Sequence, residues 1–154
     1  MKNVITVKTS LLILAIVSTF AVTFFIRLSI ERAAKKAREI ERIESHSFQY
    51  QNCVQYALLA TEDGWFPCYN CGTADSIYLF KDEVWKYGKT CFGEQGRYPN
   101  GLPEENLKFE IEITGTEKEC LIAEKEKIYN YPNLPECLKR NIILIRPAGN
   151  KIDR

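Results

Sequence analysis

Glu124 has the most apolar helical surroundings of any acid in its neighbourhood. It shares one helix face with Cys120, Leu121, Ile128 and Tyr131, at i−4, i−3, i+4 and i+7. Glu117, Glu119 and Glu126 have more polar helical neighbours. A carboxylate turned toward a core requires a cation, a hydrogen-bond donor or a metal ion. The plainer reading is a rim carboxylate paired with a nearby Lys or Arg. A second set lies upstream: Ser76-Ile77-Tyr78, then Trp85-Lys86-Tyr87-Gly88-Lys89-Thr90, then Arg97. Phenols, ammonium groups and a guanidinium suit proton transfer and phosphate binding. Read plainly, Trp85 and Tyr87 are core aromatics and the lysines are solvated. Side chains two apart on a strand share a face, so Tyr78 goes with Phe80 and Lys86 with Val84. Strand register then decides whether Tyr78 and Lys86 meet. Gly88 allows a sharp backbone turn where the second run ends.

Six cysteines stand at 53, 68, 71, 91, 120 and 137, and Cys68-Tyr-Asn-Cys71 has the spacing of half a zinc knuckle. No second Cys-x-x-Cys follows. A four-ligand zinc set would draw on Cys53, Cys68 and Cys71 with His46 or Cys91. The alternative is a set of reduced, partly buried thiols, as a cytoplasmic domain would hold.

In their order along the chain, these pieces resemble the GIY-YIG nuclease superfamily over residues 76–150, about half of the sequence. Ser76-Ile77-Tyr78 looks like the first motif, with serine for its glycine. Lys86-Tyr87-Gly88-Lys89-Thr90 looks like the second motif with its trailing basic residue and threonine, although Lys86 takes the place of the usual tyrosine of Tyr-x-Gly. Arg97 falls where that family places its arginine, and Glu124 looks like its metal-binding glutamate. The tail Pro147-Ala-Gly-Asn-Lys151 is similar to the ending of compact members in bacterial toxin-like and mobile-element proteins, with Asn150 as the late asparagine.

The resemblance implies a metal-dependent endonuclease that hydrolyses phosphodiester bonds, of DNA rather than RNA. Glu124 would hold Mg²⁺ or another divalent cation, since Mg²⁺ takes few carboxylates and several waters. Arg97 would grip the phosphate as a fork donor. Tyr78 would act as general base with Lys86 lowering the cost of losing its proton, and Tyr87 would assist. Lys89, Thr90 and Asn150 would contact substrate. Two other functions fit the same residues: a non-catalytic nucleic-acid-binding module with altered motifs, or a membrane adaptor.

Such a site needs elements to position it, and the pattern predicts a small α+β domain with a three-stranded antiparallel sheet flanked by helices. Residues 77–80 and 84–87 read as strands joined by a hairpin through Lys81-Asp82-Glu83. Residues 107–113 alternate, with Leu107, Phe109, Ile111 and Ile113 on one side. Thr116 and Glu119 have capping-box spacing, opening a helix that runs through Tyr129 and ends before Pro132 and Pro135. Residues 142–145 read as a last strand.

Ahead of this domain, residues 9–26 carry no charge and are mostly apolar, which predicts a transmembrane anchor over residues 1–30. Arg27, Arg32, Lys35, Lys36, Arg38 and Arg42 follow it, so the positive-inside rule predicts a single-pass membrane protein with its C-terminal domain in the cytoplasm. Residues 31–47 read as a helical juxtamembrane stalk, and residues 48–154 as the nuclease-like domain. The chain has 154 residues with 21 Lys+Arg and 20 Asp+Glu. Only Lys2, Lys8 and Arg27 fall in residues 1–30, which leaves 18 bases against 20 acids beyond them. Bulk charge therefore cannot drive nucleic-acid binding, and a local basic patch must do so. An aromatic content of 12% excludes a disordered polar chain.

Overall fold

The computed structural model describes residues 2–45, 50–142 and 144–151, with side chains in the first helix from Val22 onward. The chain divides into two units, residues 1–38 and 39–154. The first consists of helix α1 (Lys2–Glu44), whose last turns, from Glu39, belong to the second. The Ala-, Arg-, Glu- and Lys-rich stretch from Glu31 holds strong helix formers and no breaker. The helix accordingly runs without interruption through the expected boundary at residue 30.

The expected membrane anchor, and with it the single-pass cytoplasmic topology, is corrected here. Among the described residues, no helix is long and apolar enough to cross a membrane. The described side chains of α1 offer only Val22–Ile26 before Arg27, and charges recur from Glu31 onward. The side chains of residues 2–21 lie outside the described ones.

The second unit is α+β. A three-stranded antiparallel sheet has the order β4-β1-β5, from β1 (Cys53–Ala60), β4 (Val84–Thr90) and β5 (Leu107–Gly115). A separate ribbon pairs β2 (Gly64–Pro67) with β3 (Ser76–Leu79). Helix α2 (Gly93–Arg97) follows β4, and α3 (Glu117–Asn130) follows β5 with the expected capping box between Thr116 and Glu119. Pro132 falls in a 3-10 turn over Tyr131–Asn133, and Pro135 opens the short α4 (Pro135–Leu138). The largest buried side chains are Trp85, Tyr56, Tyr131, Leu58 and Leu79, so the core gathers on β1 and β4.

Three local expectations fail for identifiable reasons. The runs at 77–80 and 84–87 are not a hairpin, because β3 pairs with β2 and β4 with β1. The turn through Asp82 (φ 67°) is fixed to the end of β1 instead: Asp82 N–H donates to the Ala60 carbonyl at 2.8 Å, and Ala60 N–H to that of Glu83 at 3.0 Å. In β5 the alternation does not bury Ile111 and Ile113, which are 56% and 39% exposed. A bulge at Gln55/Tyr56 sets Ile113 opposite Gln55 and Ile111 opposite Tyr56, which breaks the common face. The last expected strand is absent at residues 142, 144 and 145, and Ile143 lies outside the described residues.

Candidate active site

Lys86, Arg97 and Glu124 come from β4, α2 and α3, and all three line a cavity of about 550 Å³ together with Asn150. They also line an adjoining cavity of about 320 Å³. Antiparallel pairing places Lys86 opposite Leu58 and Gly88 opposite Tyr56, so these four residues share one face of the sheet. Gly88 is required there. A Cβ at that position would sit 2.5 Å from Cζ of Tyr56, whose ring covers the glycine. The Tyr56 ring stacks on Phe109 at 4.3 Å between centroids, and its hydroxyl lies 2.8 Å from that of Tyr98. Lys86 Nζ and the Arg97 guanidinium each lie 5.9 Å from the centre of the Tyr98 ring.

The electrostatics sort these groups by role. Burial pushes the Glu124 carboxyl above its ordinary value, while Lys125, Lys86, Lys89 and Arg97 pull it back down. Arg97 is raised above its ordinary value, chiefly by the Tyr56 hydroxyl beside it, and stays a cation at any working pH. Burial and then the Tyr56 hydroxyl push the Tyr98 phenol up, so Tyr98 keeps its proton, and the two hydroxyls share one hydrogen bond.

The other expected site residues have different places. Tyr78 lies on β3 in the ribbon, its ring against Trp65 and Phe80 at 5.6 and 5.5 Å; like Tyr56 it lines neither cavity that holds Glu124, but it lacks the contact with Arg97 that Tyr56 makes. Tyr87 faces away from Lys86 with Lys127 Nζ 5.5 Å from its ring centre, and burial raises its phenol strongly. Lys89 reaches the smaller cavity but is held in an ion pair with Glu117. Thr90 Oγ1 accepts from Phe92 N–H at 3.1 Å, which shapes the turn into α2 and so aims Arg97. The Asn150 side chain is committed to β4: its Oδ1 accepts from Tyr87 N–H at 3.0 Å and its Nδ2 donates to the Tyr87 carbonyl at 2.9 Å.

The cysteines do not assemble as a zinc set. Cys53 is bonded to Cys91 and Cys68 to Cys71, which corrects the expectation of reduced thiols at these four positions. Cys120 and Cys137 are buried thiols, and His46 lies outside the described residues. Among the described residues, no three His, Cys, Asp or Glu side chains cluster as a ready-made metal site. Glu124 is a single carboxylate in a cavity of about 550 Å³, which would fit a divalent ion that keeps most of its waters.

Sequence reasoning missed Tyr56. Strand β1 is central and almost wholly buried, so it lacks the alternation that marks half-buried strands. Its signal was the short run Val54-Gln-Tyr-Ala-Leu-Leu59 between Asn52 and Thr61-Glu-Asp-Gly64. No family model, curated protein or solved structure matches this chain.

Proposed function

We propose that the second unit is a metal-dependent phosphodiesterase of nucleic acid, an endonuclease resembling the GIY-YIG type, acting in the cavity of Lys86, Arg97 and Glu124. The observation that carries this reading is that cationic side chains from β4 and α2 line one cavity with a half-buried carboxylate from α3, and a hydrogen-bonded pair of phenols lies against the arginine. In the resemblance, Tyr56 on β1 takes the place first assigned to Tyr78.

Arg97 and Lys86 bind the phosphate oxygens and favour the extra negative charge at phosphorus in the transition state. The Tyr56 hydroxyl, hydrogen-bonded to Arg97 and 2.8 Å from the Tyr98 hydroxyl, holds the guanidinium at the cavity wall, so Tyr56 acts as a positioning residue for the phosphate-binding arginine. Glu124 is the residue that would hold Mg²⁺, and a bound ion would neutralise phosphate charge and assist the leaving oxygen. Gly88 keeps the Tyr56 ring against the sheet, and Thr90 sets the direction of α2.

The test is incubation of the full-length chain with DNA and RNA in Mg²⁺ and in chelator. Cleavage that chelator stops and Glu124→Gln abolishes supports the reading. Wild-type chain that binds nucleic acid and leaves it intact under all these conditions would make it a binding module.

A further inference from the structure

The smaller cavity shares Lys86, Arg97 and Glu124 with the larger one, and its remaining wall comes from the end of α1, from Gly88 and Lys89 of β4, and from Leu121 and Lys125 of α3. Five of its ten lining residues are cationic and two are acidic. Lys125 is 2% exposed, and its Nζ makes no hydrogen bond to any described residue. The carboxylate paired with it is Glu39, 3.5 Å away, and the same Glu39 oxygen already accepts from Arg42 at 3.0 Å. One carboxylate thus faces two cations.

A buried ammonium is costly unless it is both paired and hydrogen-bonded, and here only the first condition is partly met. An apolar side chain would fill the same space without that cost. The donors of Lys125 are suited to an anion that offers several acceptor oxygens and enters from the cavity. Carboxylates would be a poor match, since Glu39 and Glu124 already line the cavity.

We propose that this cavity is a second phosphate subsite, which takes the backbone phosphodiester next to the one bound in the larger cavity, with Lys125 and Arg42 as its contacts. The inference rests on the nuclease reading for the first phosphate. The shared wall of Lys86, Arg97 and Glu124 fits it, because a strand crossing that wall presents one phosphate to each side.

The experiment measures binding of a fluorescein-labelled single-stranded DNA oligonucleotide to the full-length chain across a salt series, in chelator so that nothing is cut. Lys125→Met keeps the length of the side chain and removes its charge. It is expected to weaken binding about tenfold and to lower the salt slope by about 0.7, the loss of one phosphate contact on a single strand. A merely structural Lys125–Glu39 tie would leave the slope of a folded variant unchanged, and that result overturns the subsite while the nuclease reading stands. Should circular dichroism show Lys125→Met unfolded, Arg42→Gln decides by the same slope, because the Arg42 side chain is 64% exposed and its removal spares the core. Wild-type chain that binds no DNA overturns the subsite together with the reading beneath it.

Discussion

Two phenols, Tyr56 and Tyr78, compete for one role, and their surroundings separate them. Tyr78 stands on the ribbon with Trp65 and Phe80 for neighbours, whereas Tyr56 has Tyr98 and Arg97. Tyr56→Phe keeps the stacking on Phe109 but removes the hydroxyl that holds Arg97, so cleavage by the folded variant should fall about tenfold or more. Tyr78→Phe should cleave like wild type. Equal losses in both variants, measured by single-turnover cleavage, would count against the assignment. Glu124 makes a second, thermodynamic prediction. Burial raises its carboxyl, so the folded state favours the protonated acid. Its contribution to stability is then present below the unfolded carboxyl value and lost as pH rises through the folded one. Glu124→Gln, neutral throughout, should match wild type in stability near pH 4. At pH 7 it should be more stable, by about 0.5–2 kcal/mol, the range common when a functional site is relieved of strain. Denaturant melts at the two pH values check this. A variant destabilised at pH 7 would mean that the surrounding cations, not burial, dominate.

Among the elements, β4 is the one on which the site depends, and its outer edge is held by the chain's end. Asn150 pairs with both the N–H and the carbonyl of Tyr87, as a neighbouring strand would, and Gly149 N–H donates to the Trp85 carbonyl at 2.7 Å. A Cβ on Gly149 would lie 2.7 Å from the Trp85 ring, so the tail is pressed onto the strand. Asn150→Ala should cost about 1–3 kcal/mol, because it leaves buried backbone groups without partners. The loss of cleavage should follow the loss of folded protein in thermal melts. A folded variant with weakened substrate binding would instead restore the substrate contact that the sequence suggested. What could be read from the sequence at this scale divides along physical lines. The α3 capping box was legible because Thr116 and Glu119 act locally, and so was Glu124, because helical spacing holds whatever packs against it. Lys86 and Arg97 were legible as chemistry, but Tyr56 joins them only through pairing between β1 and β4 across some thirty residues. Nothing local records that pairing. The ribbon was misread because β3 and β4 are adjacent in sequence and bounded by turn residues, while their partners lie upstream in β2 and β1. Tyr56 was lost for the same reason: a strand buried on both faces shows no period.

For the molecule as a whole, the question is what keeps β1 and β4 in register when the chain between them makes a separate ribbon. Val54 pairs with Thr90, and Cys53 and Cys91 continue that ladder by one step as a disulfide. The bond closes 38 residues of chain, including all of β2 and β3, and so restricts the unfolded ensemble far more than Cys68–Cys71, which spans 3. On the loop-entropy account the long loop contributes about 4 kcal/mol and the short one much less. The short bond acts on the tail instead. Between its cysteines, Asn70 donates to the Pro147 carbonyl at 2.8 Å and Tyr69 N–H to that of Ala148 at 2.8 Å, gripping the segment that holds β4. The double variant Cys53→Ser/Cys91→Ser should therefore lose about 2–4 kcal/mol in denaturant unfolding, while Cys68→Ser/Cys71→Ser should lose less than half of that. A dithiol reductant should destabilise wild type by about the sum of the two losses, and should take only the smaller one from the first double variant. It should still act on the second, whose long disulfide is intact. If both double variants fell equally, the tail's grip would be as important to the fold as the closure of the ladder, and the site would be stabilised from its edge rather than from the start of β1.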